Sequence, residues 1–293
     1  MLLAVPNFSE GRKGGRIDAI SSAFATGATL LDTHSDSVHN RTVLTLSAPP
    51  RSLGDALVRG ARACVEELDM RRQDGAHPRI GALDVCPVVW LSEGDREPAR
   101  EAALTVARRI GAEAEVPVFL YGELAAHPAR RERAFFREGG LVELGARMAS
   151  GELRPDFGPA KPHPTAGATL VTARPPLAAF NLALEGAEID DARAIASRLR
   201  EAGGGLQGVR AIGIELEKGR TQVSTNVHDP IAVPLARVVE RVRELADAYG
   251  ASIASAEIVG LIPEPALADW PEDIPLPGFD PSLHVIERRV QVD

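Results

Sequence analysis

The chain has 293 residues, 44% of them hydrophobic and 25% charged, a composition typical of a globular protein with one large domain or two ordinary ones. Its formal net charge of -8 excludes a general attraction to nucleic acid or to an anionic membrane, so an anionic ligand requires a local basic patch. The first residues lack a basic leader and no run of about 18 apolar residues occurs, so we expect a cytoplasmic protein that does not span a membrane.

The first part of the chain alternates strand and helix patterns. Apolar runs and 3.6-residue periodicity predict, in chain order, strand 2–8, helix 16–25, strands 28–33 and 42–47, helix 53–70, strand 83–91, helix 97–114 and strand 116–121. Ser9 or a neighbour is expected to cap the first helix. The order is β-α-β-β-α-β with one more helix and strand appended.

After the prolines at 175 and 176 the same order returns. The patterns predict strand 178–184, helix 190–202, strands 209–216 and 221–227 joined by a hairpin turn at 217–220, helix 235–249, strand 252–259 and a last strand near 284–292. We therefore predict an α+β fold of two tandem ferredoxin-like subdomains, residues 1–176 and 177–293, with the ligand crevice between them.

Residues 75–84 are the most informative segment. His77 precedes Pro78, which favours an extended backbone at the histidine, and the glycines at 75 and 81 allow tight turns or close backbone approach. An imidazole near the guanidinium of Arg79 suits proton transfer on an anionic substrate. An ordinary loop histidine is the alternative interpretation.

A second polar segment supports a different function. Asp32, His34 and Asp36 alternate along a predicted strand, and alternate side chains share a face, so the three are candidates to converge on a divalent metal ion. This pattern favours a metal-dependent hydrolase. The alternative is a polar loop whose side chains satisfy backbone groups.

Several common sites are missing from the sequence. It contains no Gly-Lys-Ser/Thr phosphate loop and no dinucleotide-binding glycine fingerprint after a strand, which argues against nucleotide binding. Cys64 and Cys86 do not form a metal-type pair, and their patterns indicate small buried residues.

Residues 157–167 form a proline-rich loop with one cation and one imidazole, and a plain interdomain connection is the alternative for it.

Six segments, in order and over nearly the whole chain, resemble glutamate formimidoyltransferases. They are Val-Pro-Asn-Phe-Ser-Glu-Gly at 5–11, Asn-Arg-Thr-Val at 40–43, Gly-Ala-His-Pro-Arg-Ile-Gly-Ala-Leu-Asp-Val-Cys-Pro at 75–87, Leu-Tyr-Gly-Glu at 120–123, Pro-Asp-Phe-Gly-Pro at 155–159 and Gln-Val-Ser-Thr-Asn at 222–226. The resemblance implies N- and C-terminal formiminotransferase subdomains without a cyclodeaminase domain, an active site between them and a homodimer. It also implies a role in histidine degradation, with tetrahydrofolate as co-substrate and no metal.

The resemblance places the catalytic histidine at His77. It places the folate-binding loop at Gly158, Pro159, Ala160, Lys161, Pro162, His163, Pro164, Thr165, Ala166 and Gly167.

The two small-molecule substrates carry carboxylates, for which forked guanidinium groups are the expected partners. We therefore predict that Arg41 and Arg79 bind carboxylates, with bridging of loop carbonyls as the alternative for Arg79. Asn7, His34 and Asn40 are predicted supporting residues. With the resemblance, the alternative of a metal-dependent hydrolase becomes one that acts on a formimidoyl or formyl amino acid. Two further functions stay open, a related transferase that uses 5-formyltetrahydrofolate and a folate-binding module without catalysis.

Overall fold

The computed structural model describes residues 1–216 and 219–290, and the chain divides into two compact units, Met1–Pro175 and Pro176–Asp293. The elements of the first unit are β1 (Leu2–Ala4), β2 (Asn7–Phe8), α1 (Gly14–Ala25), β3 (Thr29–Asp36), β4 (Arg41–Ala48), α2 (Pro50–Glu67), β5 (Leu83–Val89), α3 (Arg96–Glu113), β6 (Val118–Leu120), α4 (Arg133–Arg137), α5 (Gly140–Ala149) and β7 (Thr169–Arg174).

Strands β1 to β5 of this unit form a four-stranded ferredoxin-like sheet, in which β1 and β2 together make up one strand. Strands β1 and β2 both lie between β4 and β5, and β3 pairs with β4, all antiparallel. The single strand predicted at 2–8 is thus two short strands, because Pro6 has no backbone N–H to continue the ladder. Beyond β5 the sheet is extended by β7 and then β6, which run parallel to it.

Two hydrophobic clusters cover opposite faces of this sheet. Helices α1, α2 and α3 pack on one face against alternate residues of the strands, such as Leu44 and Leu46 of β4. On the other face α4 and α5 pack against the extension, where Phe136 of α4 meets Phe119 of β6 with ring centroids 5.2 Å apart. The part of that face formed by β3 and β4 carries polar side chains.

The second unit confirms the predicted ferredoxin-like order. Its elements are β8 (Ala178–Glu185), α6 (Ile189–Leu199), β9 (Val209–Glu215), β10 (Thr221–Val227), α7 (Leu235–Asp247), β11 (Ser252–Ile258), α8 (Pro281–His284) and α9 (Ile286–Arg289). The strands form an antiparallel sheet in the order β11-β8-β10-β9. One face packs on α6 and α7 through a core that includes Phe180, Leu182 and Val239. The fold class is therefore α+β with two tandem ferredoxin-like units.

The last strand predicted at 284–292 is wrong for the described residues up to 290. The segment forms two single-turn helices, because Asp280 accepts a hydrogen bond from the Ser282 N–H and Pro281 occupies the first helical position. Residues 291–293 and residues 217 and 218 of the predicted turn at 217–220 lie outside the described residues. Within the described part of the chain, no helix combines the length and apolarity that crossing a membrane requires.

Two glycines of α2 give a matched test of the packing between α1 and α2. A Cβ at Gly60 would lie 2.1 Å from the Phe24 ring, whereas a Cβ at Gly54 finds its nearest neighbour, Val106, at 3.7 Å. We expect Gly60→Ala to lower the free energy of unfolding by about 1–3 kcal/mol through overpacking. Gly54→Ala should raise it by about 0.5–1 kcal/mol, because alanine loses less backbone entropy in a helix. Urea denaturation of both variants measures the difference, and equal stabilities would contradict this packing.

Candidate active site

A bulge in β3 sets which side chains face away from α1–α3. Leu30 pairs with Leu46 on the core side, but Asp32 then pairs with Thr45, so Leu31 is skipped in the register. After this shift Asp32, His34 and Asp36 all point to the face opposite the helices, as predicted from their spacing. The strand predicted at 28–33 continues to Asp36, so this segment is not a loop.

The Asp36 carboxylate is paired with a neighbouring histidine, His39. One carboxylate oxygen accepts the backbone N–H groups of Val38 and His39 at 2.7 Å, and the other lies 3.0 Å from Nδ1 of His39. Burial raises the pKa of Asp36, but the hydrogen bonds from His39 and Val38 outweigh it and bring that pKa to about 2. Among the residues that the structure describes, no three His, Cys, Asp or Glu side chains converge as a metal site. The geometry therefore gives the metal-dependent alternative no support.

Asn40 fixes the turn between β3 and β4. Its backbone is left-handed, with φ of 48°, a conformation in which Asn is enriched. Its side chain is buried, accepts the Gly11 N–H at 2.9 Å and donates to Gln73 and to the Asp74 carbonyl at 2.8 and 2.7 Å. Asn40 thus connects the turn to the segment that leads into His77.

Arg79 bridges backbone carbonyls of two loops. Its guanidinium donates to the carbonyl oxygens of Asn40 at 2.9 Å, His39 at 3.0 Å and His77 at 3.3 Å. A Cβ at Gly75 would lie 2.0 Å from this guanidinium, so the close approach requires glycine. The bridging that sequence analysis gave as the alternative for Arg79 is present, and it holds His77 against the β3–β4 turn.

His77 accepts a hydrogen bond from Arg41, the first residue of β4. Nη1 of Arg41 lies 2.8 Å from Nε2 of His77, and an arginine only donates, so we assign the ring proton to Nδ1. Burial and the positive charges of Arg41 and Arg137 hold the pKa of His77 well below 6.5. The ring of His39 lies edge-on, with centroids 6.0 Å apart. His77 is therefore a neutral imidazole near pH 7.

A second bulge places Asp84 between the His77 segment and α4. Asn7 pairs with Val85 and Phe8 with Leu83, which leaves Asp84 out of the register. The buried carboxylate accepts the Ile80 N–H at 2.7 Å and forms an ion pair with Arg137. The bulge thus turns Asp84 toward α4, and the carboxylate holds the end of the His77 segment.

The remaining predicted residues near β2 have structural contacts. The Ser9 hydroxyl donates to the Gly81 carbonyl at 2.7 Å, and α1 begins at Gly14 without a side-chain cap, so the predicted cap is wrong. Ser9 is buried between two loops and does not reach the helix. Asn7 is buried and donates to the Val5 carbonyl at 2.9 Å. His34 is half-buried on the same face as Asp36.

The loop predicted to bind folate lies against the His77 segment. The Ala82 N–H donates to the Ala166 carbonyl and the Ala168 N–H to the Ile80 carbonyl, both at 2.9 Å. Gly167 pairs with His163 across the loop, and its φ of 70° favours glycine. The loop from 158 to 167 is therefore joined to residues 80–82 by backbone hydrogen bonds.

Two side chains of this loop have different surroundings. Nδ1 of His163 accepts the Ala166 N–H at 3.0 Å and the Thr165 N–H at 3.3 Å, so the ring closes a turn within the loop. Lys161 is exposed.

Sequence analysis missed two residues whose charges act on His77, Arg133 and Arg137 of α4. It also missed Tyr121, which follows β6, and Arg174 at the end of β7, both of which interact electrostatically with Arg133. The signal that was available is the Arg-x-x-x-Arg spacing around two phenylalanines at 135 and 136, which places both arginines on one side of a helix.

Removing the charge of Arg41 tests the electrostatics of His77. The guanidinium of Arg41 lowers the pKa of His77, so the pKa of His77 should rise in Arg41→Met. An NMR titration of the imidazole in the free protein measures this shift without an activity assay. The exposed Arg72→Met is the control and should leave the titration unchanged. An unchanged or lower pKa of His77 in Arg41→Met would show that the hydrogen bond does not form.

Comparisons with known proteins agree with this architecture. A family model described as "Formiminotransferase domain, N-terminal subdomain" matches residues 1–174, and one described as "Formiminotransferase domain" matches residues 179–272. The glutamate formimidoyltransferase of Streptococcus pyogenes serotype M1 is 37% identical over 290 residues, which cover 98% of this chain and 97% of that protein. That of Thermoplasma acidophilum is 36% identical over 293 residues, 98% and 96% of the two chains.

A longer relative matches over part of its length. The formimidoyltransferase-cyclodeaminase of Rattus norvegicus is 38% identical over 274 residues, which cover 90% of this chain and 50% of that protein. The two family models and the nearly complete coverage of the bacterial and archaeal relatives lead to one conclusion. The chain belongs to the formiminotransferase family.

Proposed function

We propose that the protein transfers a formimidoyl group between N-formimidoyl-L-glutamate and tetrahydrofolate, with His77 as general acid and base. The observation that carries the proposal is the neutral imidazole of His77, joined to Arg41 at 2.8 Å and connected through residues 80–82 to the loop at 158–167. The relatives of matching length carry the name of this activity. Tetrahydrofolate is then a co-substrate, and loop residues 158–167 are its proposed binding segment.

The reaction needs one proton removed and one proton delivered. N5 of tetrahydrofolate attacks the formimidoyl carbon, and a tetrahedral intermediate forms. N5 then loses its proton, the bond between the formimidoyl carbon and the glutamate nitrogen breaks, and that nitrogen gains a proton. Neutral His77 accepts the first proton, and its imidazolium, beside the positive charge of Arg41, readily gives a proton to the leaving nitrogen.

Arg41 has a second proposed role as a carboxylate anchor. A guanidinium has five N–H donors, and one of those of Arg41 is used by His77. A substrate carboxylate on the remaining donors places a negative charge near the imidazole, which raises the pKa of His77 toward neutrality. Binding the substrate thus adjusts the base for its proton transfers. For Arg79 the three carbonyl contacts favour a positioning role over carboxylate binding.

Residues 1–176 and 177–293 are the proposed N- and C-terminal subdomains of a homodimeric cytoplasmic enzyme of histidine degradation. The cysteines at 64 and 86 are free and buried, which agrees with a reducing compartment. A related transferase that uses 5-formyltetrahydrofolate is the second candidate, because formyl transfer to or from N5 needs the same two proton transfers.

Replacing His77 tests its role directly. We expect His77→Ala to lower kcat by about 10²–10⁴-fold, since the general acid and base is lost, while tetrahydrofolate still binds. Product formation from N-formimidoyl-L-glutamate and tetrahydrofolate, with and without a chelator, gives the rate. His127→Ala is the control, because His127 is exposed. A variant that keeps a large part of the wild-type kcat would exclude this role, and a chelator that abolishes activity would favour the metal-dependent hydrolase.

The two loop arginines should differ in their kinetics. Arg41→Met removes both a carboxylate anchor and the hydrogen bond to His77, so we expect the KM for the formimidoyl donor to rise by a larger factor than kcat falls. Arg79→Met loses three hydrogen bonds that hold His77, so we expect a lower kcat and a lower Tm with KM little changed. Steady-state kinetics and thermal denaturation separate the two. A higher KM with an unchanged Tm in Arg79→Met would restore its carboxylate role.

A further inference from the structure

Four arginines occupy the face of the first unit that carries α4. The packing of Phe136 on Phe119 holds α4 against the sheet extension, and this places Arg133 and Arg137 over that face. Leu170 of β7 belongs to the same hydrophobic cluster as Phe136, and Arg174, four residues later, lies on the same face of that strand. Arg41 lies on this face too, since its cross-strand partner is Asp36.

The charges of these arginines act on one another. Burial, together with the charges of Arg137 and Arg133, lowers the pKa of Arg41 to about 10. Burial also lowers the pKa of Arg174 to about 10, with Arg133 acting in the same direction. Tyr121 is buried and its phenol influences both Arg133 and Arg174. The arginines therefore form one electrostatic cluster.

Little negative charge balances this cluster. Arg137 is 10% exposed and pairs with Asp84, while its Nε is buried without a hydrogen-bond partner in the described chain. Arg174 donates to the Pro175 carbonyl at 2.9 Å, which carries no net charge. Over residues 1–216 and 219–290, the Arg133 side chain has neither a hydrogen bond nor an ion pair. Half-buried guanidinium groups without counter-ions are unfavourable, so an anionic ligand is the expected partner.

We propose that Arg133 and Arg174 bind the side-chain carboxylate of the formimidoyl donor, while Arg41 holds its α-carboxylate. The α-carboxylate is attached to the carbon that carries the reacting nitrogen, so it must lie close to His77 and hence to Arg41. The side-chain carboxylate lies farther from that nitrogen, where the next unpaired guanidinium groups are those of Arg133 and Arg174. The cluster thus selects a dicarboxylic amino acid as donor. This inference rests on the proposed function.

A neutral substrate isolates this interaction from the rest of the reaction. N-formimidoyl-L-glutamine has the shape of N-formimidoyl-L-glutamate but lacks the side-chain charge. We expect wild-type kcat/KM to favour the glutamate donor by about 10- to 100-fold, the value of charge-assisted hydrogen bonds. Arg133→Met and Arg174→Met should lower kcat/KM for the glutamate donor by a larger factor than for the glutamine donor, and so lose most of this preference. Arg131→Met is the control, because Arg131 is exposed in the same segment, and it should keep the preference.

Two further measurements guard against misfolding and against failure of the assay. The Tm of Arg133→Met should not fall, because an unpaired half-buried charge has been removed. Isothermal titration calorimetry should show tighter binding of the glutamate donor than of the glutamine donor to the wild type, and a much smaller difference between the two for Arg133→Met. Variants that keep the preference, or that lose activity equally with both donors, would overturn the inference. If the wild type binds with this preference but transfers nothing, the proposed function fails and the carboxylate site stands.

Discussion

The site depends on the hydrogen bond from Arg41 to Nε2 of His77, because it fixes both the protonation and the orientation of the imidazole. The positive charge of Arg41 also helps to keep the imidazole neutral near pH 7, because it lowers the pKa of His77. The bond exists only while the loop at residue 77 lies against the first residue of β4. Arg79 secures that position through carbonyls on both loops, and Asn40 secures the turn before β4. Hydrogen bonds to backbone carbonyls and to neutral side chains thus keep the imidazole of His77 in place.

The same site contains an unfavourable distribution of positive charge. Asp84 is buried and compensates one arginine, yet Arg41, Arg133 and Arg174 have no carboxylate partner in the described chain. A protein selected for stability alone would place apolar side chains at such positions. Retaining the charges lowers the stability of the empty site and strengthens its attraction to anions, the trade-off expected where a ligand supplies the missing charge. The net charge of -8 makes such a local basic patch necessary for an anionic substrate.

Periodicity predicted most helices and strands, because helices such as α2 and α7 bury one continuous stripe and the longer strands alternate cleanly. It failed where a single proline or capping residue decides the local structure. The interruption at Pro6 and the helical turns after Asp280 are examples. The motifs located His77 and Arg41 but not the arginine cluster. Two bulges, at Leu31 and Asp84, and the packing of α4 assemble that cluster, and one sequence shows none of these.

The two units share the β-α-β-β-α-β order, and an extension of the first unit explains why that unit holds the groups that the proposed chemistry uses. Both units share the ferredoxin-like sheet, but β6, α4, α5 and β7 extend only the first within the described residues 1–216 and 219–290. The common core contributes Arg41 and the His77 loop at its open face. The extension contributes Arg133, Arg174 and the loop at 158–167, and the backbone bonds at residues 80–82 join the two parts. The extension therefore adds fixed cations and the proposed folate-binding loop to a sheet face that already carries the imidazole of His77.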